Sequence, residues 1–135
     1  MPGYATRLLT LRFGGQDYRI RALSDLQQFA DPHGRAERAG ISSAMWSLFG
    51  QVWPAGRVLA QAMSRFDVAG KRVLELGCGL GLASLVLQRR KCDITASDHH
   101  PLAGEFLLRN AALNELQPIT YLNCDWAAYY RELGL

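Results

Sequence analysis

Between residues 73 and 81 the sequence runs Val-Leu-Glu-Leu-Gly-Cys-Gly-Leu-Gly, an apolar run that breaks into three glycines at alternate positions. Glycine accepts positive φ and carries no Cβ, so this spacing suits a strand turning sharply into a helix beneath a closely held ligand. The start of that helix offers backbone N–H groups to an acceptor. A dinucleotide fingerprint, G-x-G-x-x-G, needs glycine at position 82, where Leu82 stands. The text is instead E-x-G-x-G-x-G, with Glu75 two residues before Gly77. A tight turn with no ligand is the plain alternative, and strand text before with helix text after weighs against it. Asp98 follows Gly77 by about 20 residues, the distance at which an acid accepts both hydroxyls of a ribose. Its alternative role is a turn residue or cap ahead of His99-His100-Pro101. In the ribose role Asp98 is expected to be hydrated without ligand, so its loss should barely change stability. Asp125-Trp126 ends a third strand, where an acid can read an adenine amino group and an indole can cover the ring. A helix cap and a core tryptophan remain open there.

The elements that must position these residues are a parallel sheet and its crossover helices. Residues 73–76 read as a short buried strand and 82–90 as a helix with Leu82, Leu85 and Val86 on one face. Residues 92–97 form a second strand, 102–113 a second helix built on Leu102, Phe106 and Leu113, and 119–123 a third strand. Strands alternating with helices make a Rossmann-type α/β unit. Ahead of it, residues 7–23 alternate as a hairpin around Gly14-Gly15, and Ser24-Asp25 starts a short helix to Phe29. Residues 30–40 are polar and turn-rich, a loop. Pro54 opens a helix whose apolar face is Val58, Leu59, Ala62, Met63 and Phe66. The chain is expected to divide into an N-terminal hairpin and helical cap, 1–66, and a Rossmann-like half-domain, 67–135.

Composition bounds the rest. With 135 residues, 49% hydrophobic and 20% charged, the chain is neither disordered nor large enough for two ordinary domains. No apolar run approaches the roughly 18 residues of a membrane helix, and residues 1–7 lack a signal-peptide core. A net charge of +3 with scattered basic residues gives no nucleic-acid footprint. Cys78, Cys92 and Cys124 lack C-x-x-C spacing, which points to a reducing, cytoplasmic compartment and to no disulfide framework. Cys92 and Cys124 read as small buried hydrophobes, and Cys78 has no base placed in sequence to activate it. His99 and His100 point apart on an extended turn, and His33 sits in the polar loop, so no metal site is expected. Arg89-Arg90-Lys91 reads as a solvated helix end.

Taken as a set, residues 73–81 resemble motif I of class I S-adenosylmethionine-dependent methyltransferases. Residues 49–60, Phe-Gly-Gln-Val-Trp-Pro-Ala-Gly-Arg-Val-Leu-Ala, narrow the resemblance to the seven-β-strand, nicotinamide N-methyltransferase-like or family 16 group, which includes protein-lysine methyltransferases. Members share a Trp-Pro helix before motif I, a Gly-Cys-Gly or Gly-Ala-Gly turn, an Asn-Ala-x-x-Asn stretch (here 110–114) and a strand-end Asp-Trp. The resemblance covers residues 49–126. It implies an S-adenosylmethionine pocket lined by Trp53, Gly77, Cys78, Gly79, Asp98 and Trp126, with Glu75 near the methionine end; Gly81 and Asp125 join from the motifs above. It implies N-methylation of a protein side chain such as lysine, and it names no catalytic residue here. In the family's sheet order, 3-2-1-4-5-7-6, this chain supplies 3-2-1 and leaves its first strand as an open apolar edge, a surface for a homo-oligomer contact. The alternative to an enzyme is therefore an incomplete or non-catalytic cofactor-binding module that needs a partner or further strands to act.

Overall fold

The computed structural model describes residues 4–24 and 49–126. The short helix expected after Ser24, the 30–40 loop with His33 and any helix following Trp126 lie outside them. Strands β1 (Thr6–Phe13) and β2 (Gln16–Leu23) pair antiparallel, with Phe13 opposite Gln16. Gly14 and Gly15 carry φ of 56° and 77°, the doubly positive turn that matches strand twist. Tyr18, Ile20 and Ala22 face inward, as the alternation requires.

Helix α1 (Pro54–Met63) leads to β3 (Arg72–Glu75), α2 (Leu82–Arg89), β4 (Asp93–Asp98), α3 (Ala103–Leu113) and β5 (Thr120–Asn123). The second sheet is parallel in the order β3-β4-β5, so the expected 3-2-1 half-sheet is present. Residues 82–87 of α2 are buried on every side, because α1 and the sheet both pack against that helix. Phe13, Ile20, Leu85, Leu102 and Phe106 belong to one core cluster that joins hairpin and parallel sheet.

Three expectations about burial fail. On α1 the contact face is Gly56, Ala60 and Met63, while Val58 is 70% exposed and Ala62 and Phe66 also face outward. Periodicity weighs hydrophobicity and not size: small residues let α1 approach closely, as Ser64 does just after it. A Cβ on Gly14 would come within 2.7 Å of the Ser64 Cβ. Likewise β3 is not buried. Leu74 and Leu76 are 46% and 52% exposed, because β3 has a strand neighbour on one side only among the described residues. Cys92 and Cys124 flank strands and are only partly buried.

The stretch 110–114 fastens the hairpin to the α/β unit. The Asn110 side chain accepts from the Arg21 N–H at 2.8 Å and donates to the Arg21 carbonyl at 3.3 Å. Asn114 does the same for Arg19, at 2.8 Å each way. Four helical residues rise about 6 Å and two strand residues about 6.7 Å, so an i, i+4 pair on a helix matches alternate residues of a strand. The two amides thus act as a surrogate strand on the free edge of β2.

Candidate functional site

The carboxyl ends of β3 and β4 meet at the glycine turn. Gly77, Gly79 and Gly81 all have positive φ, at 62°, 55° and 80°, so the chain can reverse there between β3 and α2. Three of the turn's amides have internal acceptors. The Cys78 N–H donates to the Ser97 carbonyl at 2.8 Å, the Gly79 N–H to Asp98 Oδ2 at 2.7 Å, and the Gly81 N–H to the Cys78 carbonyl at 2.8 Å. The turn is therefore a poorer anion cradle than its glycine content suggests. Two carboxylates also flank it, Glu75 and Asp98, and a pyrophosphate placed there would meet like charge. This argues against a dinucleotide independently of Leu82.

Asp98 is partly buried and doubly anchored, since its Oδ1 also accepts the His100 N–H at 2.8 Å. The expectation of a hydrated carboxylate with no structural role is thus corrected. So is the cap alternative, because α3 begins at Ala103 with Leu102 as its N-cap and no side-chain cap. A carboxylate has about four lone-pair positions, and two remain for a ligand. Glu75 accepts from the Ser84 hydroxyl at 2.5 Å. Burial pushes its carboxyl above the ordinary value, the Ser84 contact offsets part of that, and nearby Asp98 adds to the rise. Cys78 is buried, and burial together with Glu75 and Asp98 holds its thiol far above the usual range, against any nucleophilic role.

In front of the turn lies a crevice of about 300 Å³ that brings together Trp53, Glu75, Gly77, Cys78, Gly79 and Gly81 with Gln51, Gly56, Leu59 and Leu76. A Cβ on Gly77 or Gly79 would meet no protein atom within 4 Å, so space rather than packing faces these two glycines. Asp98, Asp125 and Trp126 are not among the residues that line this crevice; Asp98 touches its wall through the bond to Gly79, and the Trp126 indole N–H donates to Ser97 Oγ at 2.9 Å. Asp125 stands beside Trp126, partly buried past the end of β5. Ser84, Ser97, Gly56 and Leu59 were not expected at the site. Ser84 carried one signal, a hydroxyl in the first turn of a helix that faces a strand-end acid; the others carried none.

A second crevice, about 510 Å³, lies at the opposite end of the strands between residues 67–72 and 90–93. Its walls mix Lys71, Arg72, Arg90 and Lys91 with Asp67 and Asp93. Ligands of open α/β sheets bind at the carboxyl ends, so we assign the site to the first crevice. His100 is buried and stacks on Phe49 with ring centroids 4.1 Å apart, a packing role. Among the described residues, no cluster of His, Cys, Asp or Glu could hold a metal ion, and no helix is long and apolar enough to cross a membrane.

A family model described as lysine methyltransferase matches residues 42–133. The chain belongs to this family. A protein N-lysine methyltransferase from Danio rerio is 37% identical over 100 residues, which span 70% of this chain and 45% of the relative. An electron transfer flavoprotein beta subunit lysine methyltransferase from Xenopus laevis is 36% identical over 83 residues, 56% of this chain and 31% of that one. A ribosomal protein L11 methyltransferase from a Synechococcus strain is 40% identical over 88 residues, 62% of this chain and 29% of the relative. The chain thus spans less than half the length of each of these relatives. A solved structure from Pyrococcus horikoshii superposes with a TM-score of 0.54 at 16% identity, covering 90% of this chain and 38% of the other, a likeness of fold. The family is one of methyl-transferring enzymes, in keeping with a glycine turn flanked by two carboxylates.

Proposed function

We propose that this chain carries the S-adenosylmethionine-binding part of an enzyme that N-methylates a protein side chain such as lysine. The observation that carries the reading is Asp98: its two oxygens fix the amides of Gly79 and His100 and keep lone pairs for the hydroxyls of a ribose. The open space before Gly77 and Gly79 fits a ligand lying against the turn. Trp53, Glu75, Gly77, Cys78, Gly79, Gly81, Asp98, Asp125 and Trp126 would surround it, with Glu75 toward its ammonium end and Trp126 toward the adenine. The bound cofactor supplies an electrophilic methyl group on a sulfonium. The work of the chain's own residues is to orient and to exclude water, so that an acceptor amine meets the methyl in line. That amine must be neutral, which calls for a nearby proton acceptor; no residue of this chain is assigned that role. The family and the names of the similar proteins support lysine as the acceptor. A reducing, cytoplasmic setting is part of the reading, supported by three free cysteines.

Calorimetric titration with S-adenosylhomocysteine tests this. One saturable site per chain is expected, with no heat from NADH. Binding of NADH without binding of S-adenosylhomocysteine would reject the reading.

Glu75 gives a pH-dependent check. A carboxyl whose folded value is raised binds its proton more tightly folded than unfolded. The contribution is therefore present below the ordinary value of 4.5 and is lost as pH rises through the raised one. Glu75→Gln should accordingly stabilise the unliganded chain at neutral pH, flatten its stability profile above pH 4.5 and weaken S-adenosylhomocysteine binding. Thermal melts across pH, with and without ligand, read all three. An unchanged profile would contradict this account of Glu75.

The exposed apolar side chains of Leu74 and Leu76 favour a second reading, a cofactor-holding module that needs a partner to turn over. Transfer of labelled methyl groups to protein lysine separates the two. Ligand binding without transfer supports the module.

A further inference from the structure

Ser97 has no exposed surface and bonds both to Glu75, which lines the crevice, and to Trp126. Its hydroxyl donates to the Glu75 carbonyl at 2.8 Å and accepts the Trp126 indole N–H at 2.9 Å. Neither partner can reverse its role: a carbonyl only accepts and an indole N–H only donates, so the direction of the chain is fixed. The Ser97 carbonyl meanwhile takes the Cys78 N–H at 2.8 Å. One residue of β4 thus grips the chain where it enters the glycine turn, at Glu75 and Cys78, and bonds to Trp126 as well. Its neighbour Asp98 holds Gly79.

We propose that Ser97 is a positioning residue that locks the indole of Trp126 and the glycine turn into one unit, so that the wall and floor of the cofactor pocket are set before ligand arrives. The inference rests on the reading of this crevice as the S-adenosylmethionine site. Ser97 touches no ligand in this account; it acts through Trp126 and Glu75. Preorganisation lowers the ordering cost of binding, so its loss shows as affinity.

The test compares Ser97→Thr with Ser97→Val. The two side chains have nearly the same shape and differ in the hydroxyl, so equal crowding cancels between them. S-adenosylhomocysteine dissociation constants are measured by calorimetry on the whole chain, and Ser97→Ala, which adds no bulk, is read against the unsubstituted chain. Ser97→Thr is expected to bind at least fivefold more tightly than Ser97→Val, and Ser97→Ala to bind about tenfold more weakly than the parent. In a Trp126→Phe background the Ser97→Ala loss should shrink to threefold or less, because the indole N–H it positions is gone. A parent chain that binds while Ser97→Ala binds equally well would overturn the inference and leave the cofactor reading standing. A parent chain that does not bind would overturn that reading itself. If Ser97→Thr and Ser97→Val prove too crowded to fold, the alanine pair decides alone. Losses that simply multiply between Ser97→Ala and Trp126→Phe would also overturn it, since a residue that only props up the fold has no reason to act through the indole.

Discussion

Asp98→Ala is expected to weaken S-adenosylhomocysteine binding by roughly 2 to 3 kcal/mol, about a hundredfold, and to destabilise the unliganded chain as well. The affinity loss follows from removing charge-assisted hydrogen bonds to two ribose hydroxyls in a partly buried crevice. The stability loss follows from the Gly79 and His100 amides, which bond to Asp98 at 2.7 and 2.8 Å and would be left to find water. About 1 to 3 kcal/mol is expected for that, the range for deleting the acceptor of a charged hydrogen bond. Asp98→Asn keeps one oxygen, and its amide nitrogen cannot accept from either N–H, so both losses should be intermediate. Calorimetric titration and urea denaturation on the same variants read the two quantities separately. Unchanged affinity in Asp98→Ala would remove Asp98 as the ribose ligand, and unchanged stability would remove its hold on the turn.

Asn110→Ala and Asn114→Ala are each expected to cost about 2 to 4 kcal/mol of folding stability. Each deletes an amide that both accepts from and donates to the backbone of β2, at Arg21 and Arg19 respectively. Both asparagines are buried, and the backbone groups they satisfy lose their partners together. Asn114 also donates to the Asn110 carbonyl at 2.7 Å, so its loss should be the larger. A shift in urea midpoint with an unchanged slope is the expected signature. A shift under about 0.5 kcal/mol, the ordinary effect of a surface substitution, would contradict the surrogate-strand account.

Much of this architecture could be read from the chain. The alternation around Gly14-Gly15 located the hairpin, and the strand-glycine-helix text located β3, the turn and α2 within a residue or two. That Asp98 lies beside the glycine turn was legible in its distance from Gly77, a property of the fold's crossover length. What stayed hidden depended on tertiary packing. The residues at 58, 62 and 66 looked like a core face, yet α1 packs through Gly56 and Ala60, where smallness and not hydropathy decides. The half-exposed β3 could not be told from a buried strand, because Leu74 and Leu76 are apolar in either case. The polar bonds of Ser84 and Ser97 are meetings between elements, and their spacing marks nothing. Asn110 and Asn114 were visible as a motif, while their work on β2, 89 and 95 residues away, was not.

Amide hydrogen exchange with and without S-adenosylhomocysteine reports where a ligand sits as well as whether it binds. Ligand at the glycine turn should slow exchange over residues 76–82, 98–100 and 125–126, with no change in residues 67–72 and 90–93 that line the crevice at the opposite end of the strands. Protection confined to that opposite crevice, or none at the glycine turn under saturating ligand, would contradict that placement.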